Sequence, residues 1–536
     1  MSIFFALGWA ALFAVVWLRK VGSREDGLPP GPPTVPLLGN LHMFPTESIY
    51  YKLTTWARKY GGIYSLKLGP GTVIVLTDVA AVKELMERRG PNTADRPAML
   101  VNDIVTGGLN MVFMHYGGTW RTFRRTAHAI LTHQAAARHL PIQQAEATQL
   151  LHDILDHPES FYTHIQRFTY SVVVSVLYGN RAPRYETPET VAFYDYECQF
   201  EHILEPGATP PVDMLPIFNL VPERWAKWKR DCRRVRNLQR AVYFGLLDET
   251  GGRLRSGSAN GSYLEEVLGR QEEFGMDREM IGYLGGILVE AGAATTYSYL
   301  HTLVLCLVAY PDAQKKAHEE IDRVVGEHRM PTLDDLEQMP FIRGLILEAH
   351  RFRPVVPLLV PRGTLAPVEY KGYTIPKGAT IFVNAWGIFH DPALYDDPEN
   401  FVPDRYLLNE NGTKPGSNCP DLKPDFIFGL GRRSCPGIHL AHNSININAM
   451  YFLWAFNFNM DIDAAGNPIK LDTSAYLNGL ATGPRPFKCR ITPRSAEKAE
   501  IIRREFLGAA DTFSKFEFGL SAEDKEYVAK SRARAG

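Results

Sequence analysis

Apolar residues recur at helical spacing over most of this chain. The stretches 135–155, 161–177, 225–247, 277–310 and 312–325 place hydrophobic side chains three and four apart, and each predicts a helix. Strand patterns are fewer. Residues 72–77 (TVIVLT) are β-branched at nearly every position and predict a strand. Residues 368–373 and 380–384 predict two more, after the proline-rich run 353–361. Between 48 and 97 the two patterns alternate. The fold class that follows is mainly α with a smaller β part. Residues 256–262 (SGSANGS) predict an exposed, mobile loop. The tail beyond Ser495 is polar and charged, suited to a peripheral helix or a loose end.

The first residues break the pattern. Residues 2–18 (SIFFALGWAALFAVVWL) carry no charge, and Arg19, Lys20 and Arg24 follow at once. That length lies at the lower edge of the ~17–25 residues that span a bilayer. Positive charge after the span puts the rest of the chain in the cytosol. A cleaved signal peptide would carry basic residues before its apolar core. None precedes this one, so a single transmembrane anchor is expected over 1–20. The clustered prolines at 29–33 are stiff and extended, and 21–34 reads as a basic, proline-rich linker.

Composition narrows the function. The chain has 536 residues, of which 45% are hydrophobic and 22% charged, ordinary for a globular protein. A net charge of −1 with no long basic run gives no electrostatic basis for a nucleic-acid partner. Cys198, Cys232, Cys306, Cys419 and Cys489 stand far apart, so neither a zinc pattern nor a disulfide framework is suggested. They read as ordinary buried thiols in a reducing compartment.

The sixth cysteine differs. Cys435 sits in the glycine-rich segment 428–437, FGLGRRSCPG. Each residue type there has a job if Cys435 is the axial thiolate of a haem. A thiolate on iron pushes electron density toward bound oxygen and favours O–O cleavage. Phe428 can shield the sulfur. Backbone N–H donors aimed at the sulfur tune its potential. Gly429, Gly431 and Gly437 let the backbone bend that closely, since glycine accepts φ > 0 cheaply. Arg433 offers a cationic fork to a haem propionate.

The pattern F-x-x-G-x-R-x-C-x-G, carried by Phe428, Gly431, Arg433, Cys435 and Gly437, resembles the cytochrome P450 family of haem-thiolate monooxygenases, fungal microsomal type. The resemblance implies a cytochrome P450 fold behind the N-terminal anchor, with haem b on Cys435. It implies that Trp120 and Arg124, spaced i,i+4, bind a haem propionate, with Arg362 a further partner. Glu348 and Arg351 (E-x-x-R) with Arg405 are implied to form a buried structural triad holding the cysteine loop. Thr295 resembles the family threonine that helps deliver protons. Here the sequence departs from the family pattern. Residues 291–296 read AGAATT, and Ala294 replaces the usual acid. Proton delivery then falls to Thr295, Thr296 and water, or to a substrate hydroxyl.

The resemblance further implies O2, a lipophilic small-molecule substrate of secondary-metabolite type, and electrons from NADPH through a separate NADPH–cytochrome P450 reductase. No G-x-G-x-x-G motif follows a strand, in keeping with a separate reductase. The expected organisation is an anchor at 1–20, a linker at 21–34, a haem-binding catalytic domain at 35–495 and a C-terminal extension at 496–536. The location is the endoplasmic reticulum membrane, single-pass, with the catalytic domain cytosolic. Two alternatives keep the cysteine loop: an isomerase, dehydratase or coupling enzyme of the same fold, motivated by Ala294, and a non-enzymatic haem binder.

Overall fold

The computed structural model describes residues 21–205, 207–213, 216–417 and 419–536. The expected membrane anchor at 1–20 lies outside the described residues. In chain order, the helices that build and position the site are α1 (Gly118–Leu131), α2 (Leu140–Asp156), α3 (Phe161–Tyr178), α4 (Pro188–Leu204), α5 (Lys227–Arg255), α6 (Arg278–Ala309), α7 (Pro340–Phe352), α8 (Ile438–Ala455), α9 (Ala496–Gly508) and α10 (Ala522–Ala535).

Helix α6 is the axis. Asp277 caps it, its side chain accepting a hydrogen bond from the Met280 N–H at 2.8 Å. Among the described residues it is the one helix long and apolar enough to cross a membrane. It is instead a core element, 78% buried over its most apolar window. Helices α3, α5, α7 and α8 pack around it, which is why it is apolar on nearly every face. The expected helix 135–155 divides into His133–Arg138 and α2. Pro141 stands in the first turn of α2, where its missing N–H costs nothing.

Among the described residues eight strands form three small sheets: β1 (Ile63–Leu68), β2 (Gly71–Leu76), β3 (Arg362–Gly363), β4 (Val368–Tyr370), β5 (Tyr373–Ile375), β6 (Thr380–Val383), β7 (Phe456–Met460) and β8 (Cys489–Pro493). The largest runs β1-β2-β6-β3, with β2 and β6 parallel. Its last strand sets Arg362 opposite Ile381. The expected strand 368–373 is a hairpin instead. Lys371 and Gly372, at φ 50° and 82°, turn the chain between β4 and β5 as such tight turns require.

Two segments are more tightly held than their composition suggests. The proline run lies against β1: Ser65 donates its N–H to the Pro30 carbonyl at 2.8 Å and its hydroxyl to Pro29 at 2.6 Å. The loop 256–262 is mostly exposed, yet Asn260 Nδ2 donates to the carbonyls of Gly179 at 2.7 Å and Lys515 at 3.0 Å. The tail beyond Ser495 is helical. Phe506 and Phe513 are buried against Ile142, Ala145 and Val176. Beneath them Glu146 is fully buried with Arg167 and Arg181, and Arg181 also reaches Glu517 at 2.6 Å.

Candidate active site

The cysteine loop is built by two 3-10 turns, Pro424–Phe428 and Gly431–Arg433. Gly431 has φ 60°, and a Cβ there would come within 2.3 Å of the Met86 carbonyl oxygen. Only glycine fits that conformation and that approach. The Cys435 N–H donates to the Phe428 carbonyl at 2.7 Å and closes the loop. The Phe428 ring stands edge-on to His350 and His442, with centroids at 5.8 and 4.9 Å.

Gly437 departs from expectation. Its φ is −88°, an ordinary value, and it precedes α8 at its N-terminus. What it supplies is its backbone N–H, aimed at the Cys435 thiol. Burial pushes that thiol up from its ordinary value, while the Gly437 N–H and the Arg124 guanidinium favour the thiolate. Arg124, on α1, donates Nη1 to the Ser434 carbonyl at 2.7 Å, so it braces the loop beside the sulfur.

Three further guanidiniums are buried together. Arg96 donates to the carbonyls of Val112, Val360 and Pro361 at 2.6–2.7 Å. Arg433 donates to Ala94 at 2.8 Å and Met114 at 2.7 Å, and lies 4.3 Å over the Trp120 ring. Arg362 donates Nη2 to Leu430 at 2.5 Å, but its buried Nη1 has no partner. Burial pulls all three below the ordinary guanidinium value, Arg362 to about 10 and Arg433 to about 9. Mutual repulsion adds to this for Arg96 and Arg433, and Asp95 opposes it. Asp95 is itself engaged by the Tyr116 N–H at 2.7 Å and by His115 at 3.1 Å. This is cationic charge awaiting an anion.

Helix α6 runs unbroken through the motif 291–296. Ala291 is exposed in mid-helix, and Thr295, one turn on, is partly exposed on the same face. The Thr295 hydroxyl donates to the Ala291 carbonyl at 2.8 Å. Ala294 and Thr296 are buried beside them.

The triad is assembled. Arg351 donates to both oxygens of the fully buried Glu348 at 2.7 and 2.9 Å, and Arg405 approaches at 3.2 Å. The same carboxylate accepts the Val402 N–H at 2.8 Å. Arg351 also donates to the carbonyls of Phe389, Pro398 and Asn400. Helix α7 is thereby tied to the segment before the cysteine loop.

The family model for Cytochrome P450 matches residues 29–490. The chain belongs to the cytochrome P450 family. A P450 monooxygenase of Armillaria gallica is 41% identical over 516 residues, 96% of this chain and 98% of its own. The P450 monooxygenase macC of Penicillium terrestre is 37% identical over 525 residues, 95% of this chain and 98% of its own. The P450 monooxygenase patH of Penicillium expansum is 35% identical over 538 residues, 97% of this chain and all of its own. The chain is accordingly an oxidoreductase of the P450 monooxygenase class.

Membership implies a haem-thiolate iron cofactor, and this P450 fits one. Haem is a flat dianion at neutral pH. The orphaned Arg362 Nη1 and its two cationic neighbours suit its carboxylates, and Cys435 with the Gly437 N–H suits its iron. Arg96 carries no motif, and the sequence reading missed it. Its only signal was a basic residue before Pro97, and its role exists only once the segment 360–363 is folded against it.

Proposed function

We propose that this P450 is a membrane-anchored monooxygenase that places one oxygen atom from O2 into a lipophilic small molecule of secondary-metabolite type, using electrons passed from NADPH by a separate reductase. The observation that carries this reading is the buried arginine trio, one nitrogen of it orphaned, beside a cysteine that receives a backbone N–H. Haem bound there supplies oxygen activation, with the thiolate as electron donor to iron.

The chain's own residues do the rest. Cys435 would bind the haem iron through its thiolate. Arg96, Arg362 and Arg433 would hold the propionates; of the pair expected to do so, Trp120 would instead support the Arg433 guanidinium and Arg124 would brace the loop through Ser434. Phe428, Gly431 and Gly437 shape that loop, and Glu348, Arg351 and Arg405 keep it in register. Thr295 donates its hydroxyl hydrogen bond to the Ala291 carbonyl, so its oxygen is free to accept from a water on the exposed face of α6. That water carries the proton that Ala294 cannot, with Thr296 packed behind it. Glu290 is no substitute, because it is bonded to tyrosines on another face of α6.

The organisation follows: an anchor at 1–20 in the endoplasmic reticulum membrane, a linker at 21–34, a cytosolic catalytic domain at 35–495 and the extension 496–536. Exposed Ile217, Leu220 and Trp225 are apolar enough to rest on the bilayer.

The test is the carbon monoxide difference spectrum of the reduced, membrane-expressed protein beside Cys435→Ser. A strongly red-shifted Soret band, lost in the variant, is expected. Haem-loaded protein without that band would remove Cys435 as ligand and the monooxygenase reading with it.

A further inference from the structure

One group of polar side chains is untouched by this chemistry. Glu197 and Glu201, one turn apart on α4, face Glu290 on α6. Burial, then mutual repulsion, raises the pKa of Glu197 and of Glu201, the latter to about 7; burial alone raises Glu290. Among the described residues no cation contributes to any of the three. A structural carboxylate cluster would carry its arginine, as Glu146 and Glu348 do.

The surrounding groups are acceptors too. Glu290 Oε2 accepts the Tyr243 hydroxyl at 2.7 Å, and the single hydroxyl hydrogen of Tyr196 is shared between the Tyr243 oxygen at 3.0 Å and Glu290 Oε2 at 3.2 Å. Gln239 is fully buried on α5 and donates Nε2 to the Tyr243 oxygen at 3.3 Å. Its carbonyl oxygen is buried without a donor, and so is Glu197 Oε1. Such an atom costs free energy unless something supplies a proton. The surface of α6 is partly exposed at Glu290, Ala291, Gly292 and Thr295, so the acceptor cluster borders the face that carries Thr295.

We propose that the substrate is a hydroxylated molecule, an alcohol or phenol, and that its hydroxyl is held by Glu197, Glu290 and Gln239 while its apolar body reaches toward Thr295. Tyr196 and Tyr243 demonstrate the kind of donor the cluster takes. A neutral hydroxyl also suits carboxyl groups whose charged form burial disfavours. The proposal rests on the monooxygenase reading above and names its substrate class.

The test uses the haem-loaded, full-length enzyme and equilibrium dialysis. A panel of lipophilic phenols and alcohols is compared with the methyl ether of each. At least one hydroxylated compound should bind about tenfold tighter than its own ether, the worth of one hydrogen bond to a carboxylate. Glu197→Gln and Glu290→Gln should each shrink that ratio to roughly threefold or less, in protein that keeps the carbon monoxide band. Ethers that bind as well as their parents, or a panel in which nothing binds to enzyme showing the band, overturn the proposal. Absence of the band in wild type overturns the monooxygenase reading instead.

Discussion

The ion cluster under the C-terminal helices and the arginine trio beside the cysteine loop are both buried and oppositely organised. Around Glu146, every charge is answered: Arg167 also meets Asp153 at 3.1 Å, and Arg181 also meets Glu517. The ring of Phe513 lies 3.6 Å from the Arg181 guanidinium. Burial pushes the Glu146 carboxyl up, yet Arg181 and Arg167 hold it below the usual carboxylate range. In the trio nothing of opposite sign is spare, and burial drags the arginines down. A closed cluster stabilises the fold. An open one stores a demand that a ligand must meet.

The largest effects should come from breaking closed clusters. Glu348→Ala leaves Arg351 and Arg405 buried without their carboxylate and should cost about 3–5 kcal/mol. Urea unfolding of the purified chain reads this, and a loss below about 1 kcal/mol would mean that water replaces the carboxylate. Glu146→Ala should cost a similar or slightly smaller amount, since Asp153 and Glu517 remain to pair with Arg167 and Arg181. Limited proteolysis should then release the segment after Ser495 first.

How much of this contrast was legible in the sequence depends on locality. The cysteine loop and the Glu348–Arg351 pair were readable because their parts lie within ten residues or one helical turn. Arg405 was readable only through chain order. The cluster at Glu146 was not, because its members look like the solvated face of amphipathic helices until α9 and α10 cover them. Arg96 and Gln239 were invisible for the same reason: their meaning lies in carbonyls and tyrosines from distant segments. Glycine at position 437 implied a left-handed turn, and the structure uses it for its N–H.

The open cluster should respond in the other direction. Arg362→Met removes one of three like charges and an unsatisfied donor, so the cofactor-free fold should lose less than about 1 kcal/mol, or gain slightly. Haem retention should fall about tenfold, the worth of one charge-assisted pair. The ratio of Soret to protein absorbance after gel filtration measures it. A variant that unfolds readily yet holds haem normally would place Arg362 among the closed clusters.

The smallest effect separates the two kinds of cluster by pH. Glu201 is raised from 4.5 to about 7, by burial first and then by Glu290 and Glu205. The groups nearest it are Glu197 and Glu205 on or beside α4 and Glu290 on α6, with Tyr243 of α5 bonded to that last carboxylate. The folded protein thus keeps a proton that the unfolded chain has already released between these values. Its contribution to stability is complete below 4.5 and disappears as pH rises through about 7. Glu146 behaves oppositely: its depressed value contributes above the unfolded carboxylate value and fades on acidification. Raising the pH from 5 to 8 should therefore lower the melting temperature more in wild type than in Glu201→Gln, by about 1–2 °C for a chain of this size. Equal slopes would mean that Glu201 is solvated and already ionised at neutral pH. The repulsion that Glu201 adds at Glu197 would then be that of a solvated neighbour, and the proposed hydroxyl site would rest on Glu197, Glu290 and Gln239 alone.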